Sequence, residues 1–258
     1  MPERSAISYT RPFDEVNFMS ALYQLGTEAT RKFPHWETSD GRVLLVCADC
    51  LDVLPTLAAG SVDAVVTDPP YGIGFKYESH DDSEDQWFVL MDMVVPLCRK
   101  VAQFVVMPSC AVKRLPWWYE HHQPDWIIAW HKGSPGHQSA IGFNDWEPHV
   151  VWGRPSHPMH DYFSTACGFD DNGHPCPKPL AYSRWLVSRA AIANGTILDP
   201  FMGSGTTGVA CVRLGRKFLG VEKEPKYFEI AKRRIIAELE RMPLFEDKTT
   251  YKQAELVG

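Results

Sequence analysis

The residues with the most evident chemistry are Asp68-Pro69-Pro70-Tyr71, which follow an apolar run ending at Thr67. Proline has no backbone N–H, so this turn presents a carboxylate and peptide carbonyls while two successive amide donors are missing. A residue that precedes proline is restricted to extended conformations, which holds Asp68 and the Pro69 carbonyl in a stiff arc. Such an arc suits the NH2 group of a planar ring, with Tyr71 beside it for stacking. Pro-Pro also marks ordinary loops, so the motif alone fits a strand-ending turn equally well.

A second motif lies far downstream, where residues 196–201 run into the glycine-rich stretch 203–208 and then into a helical pattern at 209–214. Glycines permit a tight turn and a close approach of the backbone to a ligand, and the start of a helix offers free N–H groups. A further strand, 217–221, ends on Glu222, at a spacing that suits an acid bound to both ribose hydroxyls. The combination predicts a nucleoside cofactor, either a dinucleotide or S-adenosylmethionine.

Chain order separates these two cofactor classes. A dehydrogenase usually has its glycine fingerprint on the first strand of the domain, whereas here only one strand and one helix, about 225–241, follow the glycines. The remaining strands must come from upstream, including residues 125–130 and 147–152, whose apolar residues are predicted to face the core. The sheet is therefore predicted to be circularly permuted.

This order, with the Asp-Pro-Pro-Tyr half first and the glycine half last, resembles the beta group of amino-directed DNA methyltransferases. The resemblance covers about 43–241 and includes residues 46–54 and the proline-lysine element at 174–179. It implies an α/β fold with a doubly wound, mixed, seven-stranded sheet, a Rossmann-like arrangement. It also implies S-adenosylmethionine as methyl donor and a base amino group in DNA as acceptor, with the base flipped out of the duplex or taken from a single strand. A cytoplasmic restriction-modification enzyme of prokaryotic or phage origin fits this resemblance.

The resemblance also implies roles for individual residues. Asp68, Pro69, Pro70 and Tyr71 would form the catalytic turn, and an aspartate at its first position favours adenine N6 over cytosine N4, which remains the alternative. Asp49 would lie beside the adenine of the cofactor, and Lys178 beside its methionine end. The full set of predicted cofactor-binding residues is Asp49, Cys50, Pro177, Lys178, Asp199, Phe201, Gly203, Ser204, Gly205, Thr206, Thr207 and Glu222.

Length and composition fit one methyltransferase domain spanning 1–258. Its first part is predicted as a helical extension that could pack on the sheet, contact DNA or join two subunits in a homodimer. The predicted parts are the extension 1–40, a catalytic half 41–107, the last strands with small target-recognition loops 108–172, a cofactor-binding half 173–241, and a tail 242–258.

Hydropathy, charge and cysteine content limit the kinds of partner and ligand that the chain can have. No apolar run is long enough to span a bilayer, and the start shows no signal-peptide pattern. A net charge of -6 requires a DNA-binding surface to be locally basic, and Lys113, Arg114, Lys132 and Arg154 are the candidates. Seven cysteines indicate reduced thiols. No metal is predicted, because Cys167, His174 and Cys176 lack a fourth ligand at regular spacing.

Other classes of protein remain as alternatives. A NAD(P)-dependent oxidoreductase would use the same glycine turn but would leave residues 68–71 and the proline-lysine element without a role. A catalytically silent DNA-binding protein could share the fold. Within methyl transfer, the acceptor could also be RNA or a protein glutamine.

Overall fold

The computed structural model describes residues 33–74, 82–133, 138–139, 142–166 and 178–241. Several predictions lie outside these residues: the N-terminal helix, the C-terminal tail, the role of Pro177, and the zinc ligand candidates Cys167, His174 and Cys176. Among the helices of the described residues, none has both the length and the apolar character needed to cross a bilayer.

Eleven strands are described. In chain order they are β1 His35–Glu37, β2 Val43–Cys47, β3 Val62–Val66, β4 Ala102–Pro108, β5 Trp126–His131, β6 Gln138–Ser139, β7 Gly142–Phe143, β8 Trp146–Gly153, β9 Tyr162–Ser164, β10 Thr196–Asp199 and β11 Lys217–Glu222.

The helices of the described residues lie mainly between these strands. They are α1 Cys50–Val53, α2 Glu84–Val101, α3 Leu115–His121, α4 Leu180–Ala190, α5 Thr206–Arg213 and α6 Pro225–Arg241, with short 3-10 turns at Leu54–Thr56 and Val112–Arg114.

One large mixed sheet organises the described part of the chain, in the order β1-β2-β11-β10-β3-β4-β8-β5-β9. The five strands from β2 to β4 in this order are parallel, whereas β8 runs antiparallel to both of its neighbours. The last two strands of the described residues, β10 and β11, lie between β2 and β3, which precede them in the chain. This is the permuted order that the sequence predicts.

The strand count differs from the predicted seven, because this sheet has nine strands. The seven predicted strands form its central part, and the three-residue strands β1 and β9 extend its two edges. Strands this short and partly exposed carry too few residues for an alternating pattern to be recognised in the sequence.

Apolar layers cover both faces of the sheet. The parallel strands are nearly continuous apolar runs, as expected for strands buried on both sides. Alternate residues such as Val65 and Val105 pack with α2 and α3 on one face, while Ala64 and Val106 pack with α4, α5 and α6 on the other. The fold is therefore a doubly wound α/β sheet whose strand ends carry the two sequence motifs.

The turn before α5 is packed tightly against α6. Gly205 has φ +79, and a Cβ added there would lie 2.8 Å from the Cβ of Ala231 and 3.0 Å from its Cα. We expect Gly205→Ala to lower the free energy of unfolding by about 3 kcal/mol, because strain at positive φ and crowding against a helix backbone add together. Urea denaturation measures this loss.

The matched control is Gly60, which has a similar φ of +66 but nothing within 4 Å of an added Cβ. Gly60→Ala should cost only about 1 kcal/mol, since it meets the backbone strain without the crowding. Equal losses in the two variants would show that α6 does not constrain the turn.

Candidate active site

The two sequence motifs meet at one edge of the sheet. Strands β3 and β10 are parallel neighbours with Val65 opposite Leu198, so their carboxyl ends lie side by side. The Thr67 hydroxyl at the end of β3 donates a 2.6 Å hydrogen bond to Oδ1 of Asp199 at the end of β10. The acceptor-rich turn, residues 68–71, therefore lies beside the glycine turn, residues 203–208. In doubly wound sheets this position, outside the carboxyl ends of neighbouring strands, is where ligands bind.

An open cleft lies at this edge, with about 580 Å³ of empty space that is partly continuous with solvent. The predicted residues that line it are Asp68, Lys178, Asp199, Phe201, Gly203, Ser204, Thr206 and Thr207. Residues that were not predicted also line it, among them Thr67, His149, Tyr182 and Ser183.

Glu222, the last residue of β11, is held by backbone donors. Its Oε2 accepts a hydrogen bond from the N–H of Gly203 at 2.9 Å, and its Oε1 accepts one from the N–H of Glu224 at 2.8 Å. Burial raises the pKa of Glu222 to about 7, although these two hydrogen bonds oppose the shift. Each oxygen keeps a free lone pair, so the carboxylate is oriented to accept further hydrogen bonds from a ligand.

Asp199 fixes the glycine turn. Its Oδ1 accepts hydrogen bonds from Thr67 and from the N–H of Phe201, the latter at 3.1 Å. Burial raises the pKa of Asp199 to about 6 against these bonds. Behind the turn, Arg234 of α6 donates to the backbone oxygen and the hydroxyl of Ser204 at 2.6 and 2.9 Å. The turn is therefore held from both sides before any ligand arrives.

The predicted adenine-binding residues lie at the neighbouring strand end. Asp49 caps α1 by accepting a hydrogen bond from the N–H of Leu51 at 2.9 Å, and it pairs with Lys223 at 2.8 Å. Lys223 directly follows Glu222, which brings Asp49 close to the end of β11. The side chain of Cys50 is buried in the core, so a contact from it to a cofactor would have to come from its backbone. Four predicted cofactor-binding residues are not among the described residues that line the cleft: Asp49, Cys50, Gly205 and Glu222.

The acceptor-rich turn presents Asp68 to the cleft, with 34% of its side chain exposed. Its Oδ1 accepts a 3.1 Å hydrogen bond from the Tyr71 hydroxyl and lies 3.6 Å from the Lys178 ammonium. Burial raises the pKa of Asp68, Lys178 opposes the shift, and the negative charge of Glu147 adds to it. Lys178 lies 5.1 Å from the centre of the Tyr71 ring. The predicted catalytic turn and the lysine of the proline-lysine element are thus in direct contact.

Two buried side chains hold the loop that follows Tyr71. Asp82 accepts hydrogen bonds from the N–H groups of Gly72 and Ile73 at 2.7 and 3.1 Å. Arg114 donates to the backbone oxygens of Tyr71 and Gly72 and is only 4% exposed. These contacts fix the direction in which the chain leaves the motif.

The predicted role of Arg114 at a phosphate-binding rim is therefore wrong, because a buried guanidinium that binds backbone oxygens cannot reach DNA. Lys132 is also engaged, since its ammonium lies 3.2 Å from Oε2 of Glu147. Lys113 and Arg154 are exposed. Near neighbours in the sequence thus have opposite surroundings, which charge alone does not reveal.

Glu147, in β8, is the main site residue that the sequence did not identify. It was predicted only as part of a core-facing strand, yet its carboxylate contacts Tyr71 at 2.8 Å, Lys178 at 2.6 Å and Lys132. Burial disfavours its charge, but attraction, mainly from Lys178, holds the pKa of Glu147 below its ordinary value. The available signal was an acid inside a buried strand, because such a group is rarely buried unless it is paired.

Comparison with known proteins adds independent evidence. Residues 122–233 match a family model described as DNA methylase, a segment that includes Glu147, Lys178, the glycine turn and Glu222. The YubD protein of Escherichia coli K12 is 26% identical over 210 residues, which cover 73% of this chain and 88% of YubD. The type II methyltransferase M2.MboI of Moraxella bovis is 23% identical over 249 residues, covering 78% of this chain and 90% of the relative.

These matches support an amino-directed DNA methyltransferase family for the chain. Enzymes of this family transfer a methyl group from S-adenosylmethionine to the amino group of adenine or cytosine in DNA.

Solved structures of this methyltransferase fold agree. The M1.HpyAVI complex with S-adenosylmethionine has a TM-score of 0.58 and 24% identity, over 75% of this chain and 98% of that one. The cytosine-N4-specific PvuII DNA methyltransferase has a TM-score of 0.60 and 16% identity, over 80% and 93% of the two chains. At these identities the likeness concerns the fold.

Proposed function

We propose that this methyltransferase modifies the N6 amino group of adenine in DNA, with Asp68 and the Pro69 carbonyl as acceptors for the two N–H bonds of that group. The observation that carries the proposal is the contact between the ends of β3 and β10, through Thr67 and Asp199, which sets the acceptor turn beside the glycine turn. The base must leave the duplex or come from a single strand to reach Asp68, and Tyr71 supplies a ring for stacking.

The surroundings of the cleft fit S-adenosylmethionine. Glu222 is oriented by two N–H groups and keeps lone pairs for the ribose hydroxyls. The ammonium of Lys178 suits the carboxylate at the methionine end, and Asp49 and the residues of the glycine turn complete the proposed set. When bound, this cofactor would supply an electrophilic methyl group, and its sulfur would keep the electrons of the broken S–CH3 bond and leave as the thioether S-adenosylhomocysteine.

The residues of the turn account for activation of the amine. An aromatic NH2 is a poor nucleophile because its lone pair is delocalised into the ring. Two acceptors that bind both N–H bonds favour a pyramidal nitrogen, whose lone pair then points towards the methyl group. The positive charge that develops on nitrogen is met by acceptors already in place, and the proton then passes to Asp68 or to water.

Cytosine N4 is the second candidate, because both bases present a similar NH2 group to the acceptors. The aspartate at position 68 favours adenine, whereas the fold similarity to the cytosine-N4-specific PvuII enzyme carries no information on the base. Adenine is therefore the proposed acceptor, because the first residue of the motif is an aspartate.

The identity of the acceptor is tested on unmethylated genomic DNA incubated with isotope-labelled S-adenosylmethionine, followed by mass spectrometry of the nucleosides. We expect labelled N6-methyladenine, and none with a parallel preparation of Asp68→Ala. Labelled N4-methylcytosine would instead show that cytosine, and not adenine, is the target base. Absence of label in DNA from a protein that binds the cofactor would overturn the proposed function altogether.

A further inference from the structure

Glu147 is the central anion of a buried charge cluster between the acceptor turn and the lysine that precedes α4. Its carboxylate is about a tenth exposed, and Oε1 accepts hydrogen bonds from the Lys178 ammonium at 2.6 Å and from the Tyr71 hydroxyl at 2.8 Å. Its Oε2 pairs with Lys132 at 3.2 Å. One carboxylate thus ties together three segments that are far apart in the chain.

We propose that Glu147 is a positioning residue for methyl transfer, which holds Lys178 and the Tyr71 hydroxyl so that Asp68 stays available to the amino group of the target base. This inference rests on the proposed function, in which Asp68 accepts a hydrogen bond from that group.

The distances express a competition between two carboxylates for the same donors. Lys178 lies 2.6 Å from Glu147 but 3.6 Å from Asp68. Tyr71 has a single hydroxyl proton, and its oxygen lies 2.8 Å from Glu147 but 3.1 Å from Asp68. In both cases the shorter contact is to Glu147, which leaves Asp68 as the less engaged acceptor.

Removing the charge of Glu147 would redirect these donors. Lys178 is a flexible ammonium with three donors, and Asp68 is the next carboxylate within 4 Å of it among the described residues. Without the charge of Glu147, Lys178 would lose its shortest contact to a carboxylate, so it would move towards Asp68 and occupy the acceptor that the target amine needs.

The remaining neighbours of Glu147 do not offset its charge in the same way. Burial lowers the pKa of His149 to about 4, although Glu147 opposes the shift, so this imidazole is neutral near pH 7. Burial also disfavours the charged forms of Tyr71, Tyr182 and Cys110. It raises the pKa of each well above neutrality, so these groups carry no charge. Among the described residues, the charged groups that face Asp68 and Glu147 are thus mainly the cations Lys132 and Lys178, together with the titratable Asp199, which interacts with Asp68.

The test is Glu147→Gln, which keeps the size of the side chain and removes its charge. At saturating S-adenosylmethionine and DNA, we expect the single-turnover rate to fall about 30-fold, somewhat less than the roughly 100-fold loss that a misplacement of about 1 Å can cause. The affinity for S-adenosylmethionine should stay within about threefold, because Glu147 contacts the turn and not the proposed ribose site. Glu120→Gln, an exposed acid in α3, is the matched control and should behave as wild type.

The pH dependence of the rate separates positioning from loss of structure. Asp68 in Glu147→Gln would lose a neighbouring anion and gain Lys178 as a partner, so its pKa should fall. The acid limb of the single-turnover rate should therefore move to lower pH even though the maximal rate is smaller. General damage to the fold would lower the rate without this displacement.

Glu147→Asp serves as the second variant if the glutamine protein fails to fold. It keeps the charge on a shorter side chain, so it should have a lower rate than the wild type and an unshifted acid limb. A wild-type rate and an unshifted acid limb in folded Glu147→Gln would overturn this inference while leaving the proposed function intact. A parallel loss of rate and cofactor affinity would also overturn it. A wild-type protein that methylates no base amino group would instead overturn the proposed function, and this inference with it.

Discussion

Asp68→Ala is expected to lower the rate of methyl transfer about 1,000-fold, because an acceptor aimed at the charge that develops on nitrogen would be lost. The affinity for S-adenosylmethionine should stay within about threefold, since the proposed contacts to the ribose come from Glu222 on another strand. Single-turnover kinetics with labelled cofactor and calorimetric titration of S-adenosylmethionine measure the two quantities separately.

Two further variants sharpen this test. Asp68→Asn keeps one acceptor oxygen without the charge and should retain more activity than the alanine variant. Asp85→Ala removes an exposed carboxylate from the first turn of α2 and should change neither quantity. A large loss of cofactor affinity in Asp68→Ala would show that Asp68 supports the cofactor and not the target base.

Glu222→Ala is expected to have the opposite pattern, with cofactor affinity weakened about 100-fold, because two charge-assisted hydrogen bonds to the ribose would be lost. At saturating cofactor the single-turnover rate should stay within about tenfold of wild type, since Asp68 and Tyr71 remain in place. Comparable losses of affinity in the Asp68 and Glu222 variants would contradict this division of roles.

The raised pKa of Glu222, about 7, makes cofactor binding depend on pH. The ribose hydroxyls donate to the ionised carboxylate, so affinity should rise about tenfold between pH 6 and pH 8. In Glu222→Gln this part of the pH dependence should vanish. Dividing the affinity of the wild type by that of the variant at each pH removes the contribution from titration of the cofactor itself. If cofactor affinity changed with pH to the same extent in both proteins, ionisation of Glu222 would not control the binding of the ribose.

Stability of the ligand-free protein should respond in the opposite direction. An acid whose pKa rises from 4.5 in the unfolded chain to about 7 in the fold binds an extra proton in the native state between these values. The Glu222 contribution to the free energy of unfolding therefore decreases as the pH rises from 4.5 to about 7. Thermal unfolding of the wild type and Glu222→Gln at pH 5 and pH 8 measures this contribution.

Local sequence signals were sufficient for the parts of the site that depend on neighbouring residues. The prolines of the Asp68 turn and the glycines at 203 and 205 restrict or release the backbone within a few residues. Strand β11 ends on Glu222, and α6 spans Pro225–Arg241, close to the predicted bounds. These features follow from backbone sterics and hydrophobic periodicity, which the sequence displays directly.

The sequence by itself thus determined the two motifs, their order along the chain and the permuted sheet that brings them together. Only the tertiary structure decided which side chains meet across that edge. Tyr71 and Lys178 are 107 positions apart, and Glu147 is 31 positions from Lys178, yet the three form one cluster. Arg114 is buried and Lys113 is exposed, although both are adjacent cations in the sequence. The physical reason is that strand order and register set the partners of a buried charge, and neither is encoded in the few residues around it.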